Sequence, residues 1–212
     1  MPFSGGRLRD ILVTPTGIKD PPVLFLLQGY SCASIEPSDP DHPYRQLGAA
    51  MLARGVAYYR VEKPGMGDSE GGSQCVDINF ANELAAFGAA YEHLIKVRGV
   101  APDRIFMFGH SLGGMQAPLL ASKVPPRGVA AFGTVFRNWA DYHHEVDAYQ
   151  TFLFSGDHPG ASVTTAEQNR ELMHRFYFER QSAGPDRGCK AGICRGAAER
   201  VLVGWQDPHL RP

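Results

Sequence analysis

The five residues Gly109-His110-Ser111-Leu112-Gly113 carry the most chemistry for their length. A serine between two glycines can be turned out of a tight bend and used as a nucleophile. The glycines have a mechanical reason to be there. The bend forces Ser111 into a strained backbone conformation, and bulk two residues to either side would collide. The bend also sets Ser111 at the start of a helix, whose dipole favours negative charge. The Leu112 N–H then points to where an oxyanion would form. Five letters alone equally describe an ordinary strand–turn–helix. The surroundings supply the context: Arg104 to Phe108 is an apolar run of strand length, and Met115 to Lys123 is helix-compatible.

A serine hydroxyl needs a base at neutral pH, and imidazole titrates in the right range. A carboxylate then holds the imidazole in the useful tautomer. Asp157 and His158 follow Phe152-Leu153-Phe154-Ser155-Gly156, which reads as a strand and a turn. Trp139 to Phe154 also reads as a helix, with Trp139, Tyr142, Val146, Tyr149 and Leu153 three or four apart. Thr164-x-x-Glu167 is a capping box opening a further helix that carries Leu172, Met173, Phe176 and Tyr177 on its apolar face. On that reading Asp157 and His158 sit between two helices, and His174 lies inside one. Asp207 and His209 fall almost at the end of the sequence. The residues alone assign the base and acid to none of these. His110 points away from its neighbour's hydroxyl in such a bend and reads as a packing or hydrogen-bonding residue.

The elements that must position Ser111 are legible as a sequence of patterns. Ile11-Leu12-Val13 is a short early strand. Val23 to Leu27 is apolar without alternation, as in a strand buried on both faces. Asp41 caps a helix with Tyr44, Leu47, Met51 and Leu52 inward, closed by Gly55. Val56 to Val61 is the next strand, and the turn-rich Glu62-Lys63-Pro64-Gly65-Met66-Gly67-Asp68-Ser69 follows it. Asp77 caps a long helix with Phe80, Leu84, Phe87, Tyr91, Leu94 and Ile95 on one stripe. Gly128 to Val135 is a strand after the bend. Parallel strands need crossover helices, so the alternation predicts an α/β fold with helices on both faces.

These residues resemble the α/β-hydrolase superfamily, specifically its capped serine hydrolases with esterase or aminopeptidase-like members. The likeness spans about Val23 to Val135. Leu27-Gln28-Gly29-Tyr30-Ser31 is similar to the oxyanion loop, with Gln28 where the family usually has histidine. Glu62 to Ser69 is similar to the Asp-x-x-Gly-x-Gly-x-Ser loop, with Glu62 for Asp. The bend at Ser111 is the third match. The resemblance implies a doubly wound, mostly parallel sheet with a helical cap after the sixth strand. It implies Ser111 as nucleophile, the Tyr30 and Leu112 N–H groups as oxyanion donors, and Gly109 and Gly113 as the glycines of the bend. It implies hydrolysis of a small acyl substrate without metal or organic cofactor.

On these grounds residues 1–137 are expected to form the hydrolase core, 138–181 the cap and 182–212 an irregular tail. About a hundred residues follow Ser111, too few for a cap and the late strands, so the late strands are expected to be missing. An inactive fragment or pseudoenzyme of the same fold, without the triad Asp and His, is therefore the rival reading. The 212 residues carry a formal charge of −1 and no basic stripe, which argues against nucleic acid. No apolar run reaches the roughly 18 residues of a membrane span, and Met1 to Asp10 lacks a signal-peptide core. Cys32, Cys75, Cys189 and Cys194 form no Cys-x-x-Cys pair, so they are expected to be reduced thiols in a cytoplasmic protein, with Cys32 buried.

Overall fold

The computed structural model describes residues 1–136, together with Tyr142 and Val146. The chain opens with two short strands, β1 (Pro2–Phe3) and β2 (Gly6–Arg7), followed by β3 (Asp10–Val13) and β4 (Val23–Leu27). Helix α1 (Pro43–Leu52) leads to β5 (Ala57–Val61) and the short β6 (Glu70–Gly71). Helix α2 (Phe80–Lys96), β7 (Ile105–His110), α3 (Leu112–Ala121) and β8 (Gly128–Phe132) complete the order. The main sheet runs β3-β5-β4-β7-β8, and β1, β2 and β6 form a small antiparallel sheet. Strands β5, β4, β7 and β8 are mutually parallel, while β3 is antiparallel to β5. This is the α/β architecture the alternation predicts.

Side chains of a strand alternate between its faces. Phe25 and Leu27 of β4 and Met107 of β7 join one core cluster with Phe87, Tyr91 and Leu94 of α2 and Leu120 of α3. Leu26 and Tyr58 join the other, packed against Tyr44 and Leu47 of α1. Helices therefore cover both faces, and β4 has little use for polar residues. The long-helix stripe is real, but its cap is Asn79, whose side chain accepts from Asn82 N–H at 3.0 Å. Asp77 instead ends a single 3₁₀ turn, Cys75–Asp77. The cap of α1 is likewise His42, one residue after Asp41, with Nδ1 accepting from Tyr44 N–H at 3.2 Å.

The cysteine expectation is corrected. Cys32 and Cys75 form a disulfide, with Cα atoms 5.7 Å apart, and Cys32 is exposed rather than buried. Their sequence separation of 43 hides the pairing. Strands β4 and β5 are parallel neighbours, so the loops leaving their carboxyl ends emerge side by side and bring the thiols together. Disulfides persist in oxidising compartments, which removes the ground for a cytoplasmic assignment. Cys189 and Cys194 lie outside the described residues. No helix among the described residues is long and apolar enough to cross a membrane.

Candidate active site at the switch point

From β4 the chain moves to one side, forms β5, then returns past β4 to form β7. That reversal makes a crevice between β4 and β7 at their carboxyl ends, the place where open α/β sheets bind ligands. The register is explicit: Leu27 pairs with Gly109. The next residues of each strand, Gln28-Gly29 and His110-Ser111, are therefore brought together.

Ser111 has φ 52° and ψ −121°. It is one of three non-glycine residues with positive φ among those described. Its N–H donates to Phe132 O at 2.9 Å, and its carbonyl accepts from Gly114 N–H at 2.9 Å. The backbone is thus tied to β8 on one side and to the first turn of α3 on the other. The half-buried hydroxyl has no hydrogen bond to a described residue. The two glycines do what the bend requires. A methyl on Gly109 would lie 2.3 Å from Gly113 O, and one on Gly113 would lie 2.1 Å from Leu27 O. Helix α3 starts at Leu112, three residues before the helix-compatible stretch begins, with Gly113 packed on the Leu27 and Gln28 backbone and Gly114 on the Thr134 side chain.

The facing loop is held differently. A methyl on Gly29 would sit 3.0 Å from Ser111 Cβ, so the two segments touch. Gly29 N–H donates to the Tyr44 hydroxyl at 3.3 Å, and that hydroxyl lies 2.7 Å from His110 Nδ1. His110 also stacks on Phe132, with ring centroids 6.2 Å apart. It therefore serves the loop and not the serine. Gly29 O accepts from Lys63 Nζ at 2.7 Å and from Ser31 N–H at 2.9 Å. Lys63 is itself paired with Glu83 at 3.0 Å, both side chains buried. Burial pushes the Lys63 amine below its ordinary range, opposed by the Glu83 charge. Burial likewise raises Tyr44, offset in part by its bond to Gly29. Glu62 accepts from Ile35 N–H at 2.9 Å and from the Ser34 hydroxyl, binding the stretch after Cys32.

Gly29 and Ser111 approach each other, so Tyr30 and Leu112, the next residues of each segment, follow directly on that contact. Neither the Tyr30 nor the Leu112 N–H donates to a described residue. Gln28, standing where the family usually has histidine, is 1% exposed, and its Nε2 has no partner among the described residues. Asp157, His158, His174, Asp207 and His209 lie outside the described residues, as do the expected tail and, apart from Tyr142 and Val146, the expected cap. A cavity of about 480 Å³ lies between α1 and the sheet, lined by Ile35, Tyr44, Tyr58 and Arg60 among others, but not by Ser111. No group of His, Cys, Asp and Glu among the described residues could hold a metal ion. Sequence reasoning missed Tyr44, Lys63 and Glu83. Glu83 could have been found, because it falls on the stripe with Phe87 and Tyr91, where a carboxylate demands a cation.

The sheet order, the crossover helices and the bend at Ser111 define an α/β-hydrolase fold. The family model described as Serine aminopeptidase, S33, matches residues 42–183, and the chain belongs to that family. No curated protein matches the chain. Among solved structures, alpha/beta hydrolase domain-containing protein 10 from mouse is 14% identical, with TM-score 0.51; the match covers 79% of this chain and 68% of that one. A highly thermostable carboxyl esterase from Bacillus coagulans is 17% identical, with TM-score 0.50, covering 73% of this chain and 49% of that one. Est1E from Butyrivibrio proteoclasticus, bound to ferulic acid, is 21% identical, with TM-score 0.47, covering 58% and 47%. This chain thus spans about half the length of the last two proteins. Identities this low speak for the fold alone.

Proposed function

We propose that the chain is a serine hydrolase that cleaves an ester, thioester or amide of a small substrate through an acyl-enzyme on Ser111. The observation that supports this best is the backbone of Ser111, at φ 52° and ψ −121° immediately before α3, with its hydroxyl unengaged among the described residues. Strain of this kind costs roughly 1–3 kcal/mol and persists where the surroundings impose it. The Ser111 oxygen attacks the carbonyl carbon and its proton passes to a base. The carbonyl π pair moves to oxygen, where the Tyr30 and Leu112 N–H groups receive it. The oxyanion collapses, the C–O, C–S or C–N bond breaks, and the leaving group takes the proton. Water then releases the acyl group by the same steps. Each oxyanion donor contributes roughly 10²–10³ in turnover.

A fluorophosphonate probe tests the reading. An activated Ser111 labels rapidly, and Ser111→Ala abolishes labelling and lowers ester turnover by about 10⁴-fold or more. Labelling no faster than that of a free serine would instead favour the inactive-fragment reading.

A further inference from the structure

The peptide between Gly29 and Tyr30 has an unusual pair of duties. Its N–H is the one proposed to receive the oxyanion. Its carbonyl accepts from Lys63 Nζ at 2.7 Å. No peptide bond among the described residues is cis, so the N–H points opposite to the carbonyl. Whatever fixes Gly29 O therefore fixes the direction of the Tyr30 N–H. The neighbouring peptide is pinned as well, through Gly29 N–H on the Tyr44 hydroxyl at 3.3 Å.

We propose that Lys63, oriented by Glu83, is a positioning residue for the Tyr30 oxyanion donor. The inference rests on the hydrolase reading for its consequence, but on geometry alone for the hold on the peptide. Lys63 is 2% exposed and Glu83 4%. A buried ion pair is poor value for stability, since an apolar pair of similar volume is often as good or better. Here the ammonium gives something an apolar side chain does not. A cation donating to a carbonyl polarises the whole amide, which strengthens the same amide's N–H as a donor. Its charge also lies one peptide unit from the developing oxyanion, which it attracts. Glu83 acts at one remove: it sets the Lys63 ammonium at 3.0 Å and keeps it from turning away from Gly29. Burial acts against the charged amine and Glu83 supports it, so the pair works as a unit.

The test uses the full chain, isotopically labelled, with Lys63→Met and Glu83→Gln made together so that no buried charge is left alone. The Gly29 carbonyl ¹³C resonance is expected to shift, while that of Leu94, far along α2, stays in place. With p-nitrophenyl acetate, kcat is expected to fall about 10²-fold and KM to change by less than about threefold, the pattern of an interaction made only in the transition state. A merely structural pair would lower the denaturation midpoint and leave that split unmoved. An unmoved Gly29 carbonyl overturns the proposal, and so does an active wild type whose double variant keeps its kcat. If the wild type shows no Ser111-dependent turnover while the carbonyl still shifts, the hydrolase reading falls and the lysine's hold on the peptide stands. If the double variant does not fold, Lys63→Gln with Glu83→Gln serves, since it leaves no buried charge alone and keeps a neutral amide donor for Gly29 O. The carbonyl again shifts and kcat drops about tenfold; no change in either overturns the proposal.

Discussion

Two segments meet at the mouth of the sheet, and they are built by opposite means. The bend from β7 into α3 is held by contact. Gly109 and Gly113 let backbone press on backbone, and no charged side chain takes part. The loop leaving β4 is held by polar partners from far along the chain: Tyr44, Lys63 with Glu83, Glu62, and the Cys32–Cys75 bond. The first draws on backbone alone, its own and that of Leu27 in β4 and Phe132 in β8. The second needs side chains from α1, α2 and the loop after β5. The serine proposed as nucleophile is thus set by backbone contact, while the donor proposed to serve it is set by a network that single substitutions can retune.

The contrast can be broken at several points. Gly113→Ala puts a methyl 2.1 Å from Leu27 O, against backbone that cannot rotate away. A loss of about 3 kcal/mol or more is expected in urea denaturation. A variant as stable as the wild type would mean the bend is not set by contact. Replacing Cys32 and Cys75 by serine, or reducing them, is expected to cost about 2–4 kcal/mol. An unchanged midpoint under dithiothreitol would remove the bond from the loop's supports. Glu62→Gln weakens the acceptor for Ile35 N–H and the Ser34 hydroxyl, for a cost of about 2 kcal/mol. The smallest effect is one of pH. Tyr44 is raised above its ordinary 10.0, so its contribution is full below pH 10 and is lost as pH climbs through the folded value. Tyr58 and Tyr59 carry the same sign. Lys63, lowered from 10.5, contributes fully above pH 10.5 and loses that contribution as pH falls through its folded value. Above 10.5 only the tyrosine contributions still change. The urea midpoint should then fall with rising pH, and less steeply in Tyr44→Phe.

The same contrast decides what could be read from residues alone. The bend is local, and its glycines, strand and helix follow one another within twenty residues, so Ser111 and its role in the turn were legible. The strands were legible because β4 is buried on both faces and its run is apolar throughout. The loop's supports were not, because each partner is distant and individually ordinary. Lys63 reads as part of a turn until Glu83 is seen on the inward stripe of α2. The helix caps moved by one or two residues because a neighbouring side chain, His42 or Asn79, reaches the free N–H groups better. The disulfide was read wrongly because thiol spacing along the chain says nothing about two parallel strands ending side by side.

The bond between Cys32 and Cys75 encloses a long stretch that contains all of α1 and β5. A protease that nicks the chain once inside that ring yields two pieces that stay tethered. On a gel the cut protein would migrate as one species until a reductant is added, and only then separate into fragments.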